Sequence, residues 1–289
     1  MSASHPAISG KALTGIAKVA GLIGWPVSHS RSPRLHGFWL AQHGIDGAYV
    51  PLPVQPEKVE VAVRGLAAAG LRGVNVTIPH KQTVLALCDE VDPIARRIGA
   101  VNVLIFDGEK ISGTNSDSFG FMENLKASAP GFDAAKAPAV LLGAGGGARA
   151  VAVGLLDAGV PALRLVNRNR ERALQLAEEI GGPIDVLAWE ERSAALAGAG
   201  LLVNSTSLGM SGQPPLEISL NELAADAVVS DLVYSPLETD LLAAARAKGC
   251  TGVDGLGMLL HQGRPCFAAW FGPDPQVTPE LRAYVLGGD

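Results

Sequence analysis

The chain has 289 residues, of which 48% are hydrophobic and 18% charged, with 35 glycines, 5% aromatics and a formal net charge of -5. That length can supply two buried cores, and the apolar content is too high for a disordered chain. The acidic balance leaves no footprint for nucleic acid or an anionic membrane surface, and every apolar stretch long enough to span a bilayer is broken by a charge or a glycine cluster.

Cys88, Cys250 and Cys266 are odd in number and far apart. They suit buried free thiols in a reducing, cytoplasmic compartment rather than a disulfide frame or a metal site, and no metal is expected. Residues 1–16 read as a loosely ordered leader without the apolar core of a secretory signal.

Short apolar runs then alternate with helical patterns, which predicts βα units and mostly parallel sheets. The first strand is Gly21–Gly24. Ser28-His29-Ser30-Arg31-Ser32-Pro33 follows, with Ser32 as an N-cap and Pro33 at the first position of a helix ending near Gly44. Ser30 and Ser32 offer hydroxyls beside the free N–H groups of that helix, a place for a small carboxylate or simply a capped helix. Ala48–Val50 and a helix from Pro56 to Gly70 make a second unit.

The third unit, Val74-Asn75-Val76-Thr77-Ile78-Pro79-His80-Lys81, puts a lysine where a strand gives way to a helix, the edge at which open α/β sheets bind ligands. Alternation turns Val74, Val76 and Ile78 toward a core and Asn75 and Thr77 to the other side. Lys81 on the first turn of the following helix would lie near the positive end of its dipole, a setting that suits proton exchange. Residues 101–106 and 110–113 read as a hairpin around Asp107-Gly108. Asn102 is a polar residue within it that calls for a partner or a ligand. Asp117 precedes a new helix.

After Ala129-Pro130-Gly131 the pattern restarts. The strand Ala139–Leu142 runs into Gly143-Ala144-Gly145-Gly146-Gly147-Ala148, a G-x-G-x-x-A turn between a strand and a helix, where a pyrophosphate can approach backbone and a helix N-terminus. The next strand, Leu163–Val166, ends in Asn167-Arg168-Asn169-Arg170-Glu171-Arg172. Arginines replace the acidic residue that would take ribose hydroxyls, which favours NADP over NAD, with Arg170 left as a solvated side chain. Further strands are expected at 184–187, 201–204 and 228–232. A helical stretch from Gly255 to Leu286 has Gln262 on the apolar face of its helix and packs back on the first half.

In this order the segments resemble shikimate dehydrogenase. The resemblance runs from Gly24-Trp25-Pro26-Val27-Ser28-His29-Ser30-Arg31-Ser32-Pro33 through Asn75–Lys81, Gly99-Ala100-Val101-Asn102, Asn115-Ser116-Asp117, Gly143–Gly147, Asn167-Arg168 and Asn204-Ser205-Thr206-Ser207-Leu208-Gly209-Met210 to Asp254–Leu259 and Gln262. It implies two open α/β domains. One is an N-terminal substrate domain with a mostly parallel sheet, residues 1–117 completed by 256–289; the other is a Rossmann-type NADP domain, residues 118–255.

The resemblance further implies reversible NADPH-dependent reduction of 3-dehydroshikimate to shikimate, a step toward chorismate and the aromatic amino acids. Lys81 and Asp117 would be the catalytic pair. Ser30, Ser32 and Tyr234 would hold the substrate carboxylate, and Thr77, Asn102 and Gln262 the ring hydroxyls. Gly143, Ala144, Gly145, Gly146 and Gly147 would receive the cofactor, Arg168 and Arg172 its 2′-phosphate with Asn167 and Asn169 beside them, and Leu232 and Gly255 its nicotinamide side. The expected partner is the small-molecule substrate, without nucleic acid or membrane, and a homodimer is left open as the assembly. Two positions depart from the family pattern: Ser118 stands where glycine is usual, and Asn169 where threonine or serine is frequent. A quinate/shikimate dehydrogenase with relaxed cofactor choice and a non-catalytic NADP-binding regulator remain as rivals.

Overall fold

The structure is a computed structural model, and it describes residues 12–287. Residues 1–11 of the expected leader lie outside the described residues, whereas Thr14 is tied to the Asp46 carboxylate by backbone and side chain. Packing divides the chain into two compact units, one comprising residues up to Asp92, Val101–Thr114 and Gly263 onward, the other Pro93–Ala100 and Asn115–Gln262.

The first unit is built on β1 (Lys18–Gly24), α1 (Ser32–Gln42), β2 (Gly47–Pro53), α2 (Val59–Ala68), β3 (Gly73–Val76), β4 (Glu90–Val91), β5 (Val103–Asp107) and β6 (Lys110–Thr114). Its sheet runs β2-β1-β3-β5-β6-β4. β1 is parallel to both β2 and β3, while the β5–β6 hairpin adds antiparallel to β3. Central β1 is an apolar run buried over its last five residues, as a strand covered on both faces must be, whereas edge strand β2 alternates with exposed positions.

Helix α8 (Gly255–Phe271) ends in this unit and α9 (Pro279–Leu286) follows it. Trp270 lies over Gly73, where φ is +153° and an added Cβ would come within 2.2 Å of the indole nitrogen. That nitrogen donates to the Leu104 carbonyl at 3.1 Å. Arg31 donates to the terminal carbonyls of α9, Val285 at 2.7 Å and Leu286 at 3.0 Å, which satisfies acceptors the helix leaves open.

The second unit contains α3 (Pro93–Ile98), α4 (Asp117–Ser128), β7 (Ala139–Leu142), α5 (Gly146–Asp157), β8 (Leu163–Val166), α6 (Arg170–Ile180), β9 (Ile184–Leu187), β10 (Leu201–Asn204), β11 (Val228–Asp231), α7 (Asp240–Lys248) and β12 (Thr251–Val253). Its six strands run β12-β11-β10-β7-β8-β9 and are parallel throughout. The chain winds outward from β7 in one direction and from β10 in the other, so the topological switch lies between them. This is the Rossmann-type order.

Residues 93–100, 115–117 and 256–262, expected in the first domain, pack in this unit. Arg149 of α5 donates to the Ile98 carbonyl, Asn115 Nδ2 to the Ala100 carbonyl at 2.8 Å, and Ser116 Oγ to Gln262 Oε1 at 3.3 Å. Among the described residues no helix is long and apolar enough to cross a membrane.

Candidate active site

In the first unit, the parallel pairing of Ile23 with Val76 and the antiparallel pairing of Asn75 with Val103 place the segment after β1, the turn after β3 and the start of β5 at one end of the sheet. That end carries Ser30, Ser32, Thr77, Lys81 and Asn102. Ser32 and Asn102 are buried. The N-cap of α1 is Arg31 rather than Ser32 and makes no side-chain capping bond; the Ser30 hydroxyl accepts from the Ser32 N–H at 3.2 Å, which satisfies one open N–H at the helix start. Thr77 donates its N–H to Ile23 at 2.9 Å and its methyl presses on Gly24, where a Cβ would come within 2.4 Å.

The turn carrying Lys81 differs from expectation. β3 stops at Val76, no α-helix follows, and residues 83–87 form a short 3-10 helix. Ile78 is 74% exposed instead of buried, because the strand has ended before it. The helix-dipole argument for Lys81 therefore falls away. A different device fixes the lysine. Its carbonyl accepts from Val101 at 2.8 Å, and its neighbour His80, 1% exposed, places Nε2 at 2.8 Å from the Val54 carbonyl, which requires the Nε2–H tautomer.

Asn75 bonds to groups outside that turn. Its amide accepts from the Tyr49 hydroxyl at 2.7 Å and donates to the Asn102 carbonyl at 3.2 Å and to Cys266 Sγ at 3.3 Å. It thereby holds β5 beside β3 at the residue before the sheet pairing begins.

The second unit groups Asp117 and Gln262. Asp117 is 5% exposed and opens α4, with its N–H on Asn115 Oδ1 at 2.9 Å, a place where a carboxylate suits the helix dipole. Gln262 is held through Ser116, as noted, and donates to the Leu259 carbonyl at 3.2 Å. Gly120 permits this approach, since a Cβ there would meet Gln262 Cβ at 2.5 Å.

Gly143, Gly145 and Gly147 lie at the carboxyl end of β7, at the switch point. Gly143 has φ +108°, and an added Cβ would come 2.6 Å from Ser205 Oγ. Gly145 is the N-cap of α5, and a Cβ there would meet nothing within 4 Å. The backbone at that helix start is thus open to a phosphate. Leu232 Cδ2 lies 3.5 Å from a Cβ on Gly147, and Gly255 packs on the Leu232 carbonyl, so the residues expected on the nicotinamide side adjoin the glycine turn. Tyr234 follows in the same loop after β11.

At the end of β8, Asn167 Nδ2 donates to the Asn169 carbonyl at 2.7 Å, and Asn169 Oδ1 caps α6 through the Arg172 N–H at 2.9 Å. Arg168 and Arg172 are exposed. Among the described residues neither is held in a salt bridge. Open backbone donors at Gly145 and two uncommitted guanidinium groups fit a dinucleotide carrying an additional phosphate.

Two family models match the chain: shikimate dehydrogenase substrate binding domain over residues 22–104, and shikimate/quinate 5-dehydrogenase over residues 125–211. A shikimate dehydrogenase (NADP(+)) of Rhodospirillum rubrum is 60% identical over 280 residues, spanning 95% of this chain and 99% of that protein. The chain belongs to the shikimate dehydrogenase family. Among solved structures, the shikimate 5-dehydrogenase of Thermus thermophilus in complex with NADP(H) and shikimate is 36% identical with a TM-score of 0.83, covering 93% of this chain and 98% of that one. The quinate dehydrogenase of Corynebacterium glutamicum in complex with NAD is 31% identical with a TM-score of 0.87, covering 94% and 99%.

Both departures from the shikimate dehydrogenase pattern have structural accounts. Ser118 is buried in the regular first turn of α4, and its hydroxyl lies 2.8 Å from where a Cβ on Gly154 of α5 would be. Glycine at 154 leaves the room that this hydroxyl fills. Asn169 makes the N-cap bond that a threonine or serine makes equally well. His80 and Asp231 support these segments without having stood out in the sequence: Asp231 is a polar residue at the end of the apolar strand β11, whereas His80 lies four residues beyond β3 and carries no such signal.

Proposed function

We propose that the chain catalyses the reversible NADPH-dependent reduction of 3-dehydroshikimate to shikimate. The observation that carries this reading is the grouping of Ser30, Ser32, Thr77, Lys81 and Asn102 at one end of the first sheet: two hydroxyls suited to a carboxylate, further polar groups suited to ring hydroxyls, and an amine. NADPH, when bound, supplies the hydride that reduces the ketone carbon. Lys81 gives a proton from Nζ to the carbonyl oxygen as charge develops there, and the neutral amine then regains a proton from water. In the reverse direction Lys81 accepts the hydroxyl proton. Asp117 is the second member of the catalytic pair in this reading and assists Lys81.

Ser30, Ser32 and Tyr234 bind the substrate carboxylate, while Thr77, Asn102 and Gln262 bind its hydroxyls. Gly143, Ala144, Gly145, Gly146 and Gly147 would cradle the pyrophosphate and Arg168 and Arg172 the 2′-phosphate, with Asn167 and Asn169 shaping that turn and Leu232 and Gly255 beside the nicotinamide. The functional domains in this reading are 1–117 with 256–289 for substrate and 118–255 for cofactor. The same reading has the chain work in the cytoplasm, with the homodimer left open as its assembly, which light scattering on the purified protein decides.

NADPH consumption with 3-dehydroshikimate, repeated with NADH and with dehydroquinate, tests the reaction. Turnover confined to NADPH and 3-dehydroshikimate supports the reading. Preference for dehydroquinate or NADH assigns the chain to its quinate-type relatives, and no turnover in any combination overturns the enzymatic reading.

A further inference from the structure

We propose that Asp231 is a positioning residue for hydride transfer, its buried carboxylate fixing the loops that follow β10 and β11. The proposal rests on the reading of Leu232 and Tyr234 as nicotinamide-side and substrate-side groups. Asp231 ends β11 and is 1% exposed. Oδ1 accepts from the Val233 N–H at 3.0 Å and from Asn204 Nδ2 at 3.0 Å, and Oδ2 accepts from the Thr239 hydroxyl at 2.8 Å.

Each donor anchors a different segment. Asn204 ends β10, is fully buried, and also reaches the Leu208 carbonyl at 3.1 Å while its Oδ1 accepts from the Thr206 N–H at 3.1 Å and hydroxyl at 2.7 Å. Thr206 Oγ in turn accepts from the Leu208 N–H at 3.1 Å. The loop 205–208 is thus closed on a side chain that Asp231 orients. Val233 belongs to the loop that carries Leu232 and Tyr234. Thr239 caps α7 by accepting from the Leu242 N–H at 3.3 Å.

All three donors to Asp231 are neutral, so a carboxylate is buried in a parallel sheet without a cation on it. Burial pushes its carboxyl upward, opposed by the three hydrogen bonds. Capping two turns needs only a serine or asparagine; a buried anion is a costly way to do it. What the carboxylate adds is simultaneous acceptance from three segments at the carboxyl edge of the sheet. The consequence reaches the site through Leu232, whose carbonyl packs on Gly255 and whose side chain lies 3.5 Å from where a Cβ on Gly147 would be. A displaced 232–234 loop therefore moves the nicotinamide-side groups against the glycine turn. Arg168 and Arg172, at the end of β8, share none of these bonds.

The test compares wild type, Asp231→Ala and Asp231→Asn as full-length proteins. The measurements are kcat with 3-dehydroshikimate and NADPH, the primary isotope effect with C4-deuterated NADPH, and the Kd of adenosine 2′,5′-bisphosphate. In Asp231→Ala we expect kcat to fall about 10- to 100-fold, the isotope effect to rise as hydride transfer becomes limiting, and bisphosphate affinity to stay within about twofold. Asp231→Asn, which keeps an acceptor for Val233 and Asn204, recovers most of kcat.

A kcat within about threefold of wild type with an unchanged isotope effect overturns the proposal, as does a parallel loss of bisphosphate binding, which marks a merely structural carboxylate. If Asp231→Ala does not fold, Thr239→Val decides: it removes one donor and should raise the isotope effect, and a wild-type value refutes the idea. Absence of turnover in the wild type overturns the proposed function instead.

Discussion

His36 makes the first unit acid-sensitive by an amount that follows from its burial. It is fully buried, neither ring nitrogen has a hydrogen-bond partner, and burial pushes its pKa from 6.5 down to about 3, only partly opposed by the nearby Asn75 amide. Below pH 6.5 the unfolded chain binds a proton here that the folded chain refuses until about pH 3. Unfolding therefore takes up a proton in that window, and stability falls as pH falls. The loss is about 1.4 kcal/mol per pH unit well inside the window, and about 2 kcal/mol in total between pH 7 and pH 5.

His36→Phe removes the titration and keeps a ring to stack on Tyr49, now 4.1 Å away at 10°. Urea unfolding followed by tryptophan fluorescence in a Trp189→Phe background reads this unit, because Trp39 and Trp270 both lie 5.7 Å from the His36 ring and Trp189 is the tryptophan of the second unit. The variant should gain about 2 kcal/mol relative to wild type on going from pH 7 to pH 5, whatever its stability at pH 7. If both proteins lose stability with acid in parallel, His36 is not the buried neutral group described here.

Arg172→Ala should lower kcat/KM for NADPH about 10- to 100-fold, the worth of a charge-assisted phosphate contact, and change the NADH value by less than about threefold. Equal losses with both cofactors would show that Arg172 does not read the 2′-phosphate. Arg149→Met leaves the Ile98 carbonyl without its buried donor; Glu179, with its side chain 43% exposed, adds little to that loss. Thermal unfolding should show a cost of about 1–3 kcal/mol, or several degrees in Tm. Arg149→Lys should not recover it, since a lysine has a methylene where Arg149 Nε meets the Ile98 carbonyl; full recovery would contradict that contact.

The second sheet was largely legible because each strand is a short apolar run closed by a glycine or polar turn. β7, β8, β9 and β10 begin and end where the sequence places them. β4, β12 and α3 were not legible: two or three residues of strand and a six-residue helix carry no periodicity of their own, and long-range pairing creates them. Ile78 and Lys81 mark the main local error. Alternation through 74–78 looked like one strand, but β3 ends at Val76 with a last bond from the Thr77 N–H to Ile23 of β1, and the turn that follows is held by His80, a tertiary contact invisible in the local pattern. The site residues were readable as types at given spacings. Their support was not, because Asn204 and Asp231 meet only after β10 and β11 have been laid side by side, and Thr239 joins them from the cap of α7.

The central claim is that Lys81 moves the proton. Steady-state kinetics of Lys81→Ala with 3-dehydroshikimate and NADPH tests it most directly. The account predicts a kcat lower by about 10² to 10⁴-fold with a much smaller change in KM for the substrate. A kcat near that of the wild type, accompanied by a steep rise in KM, would contradict it and leave Lys81 as a binding residue only.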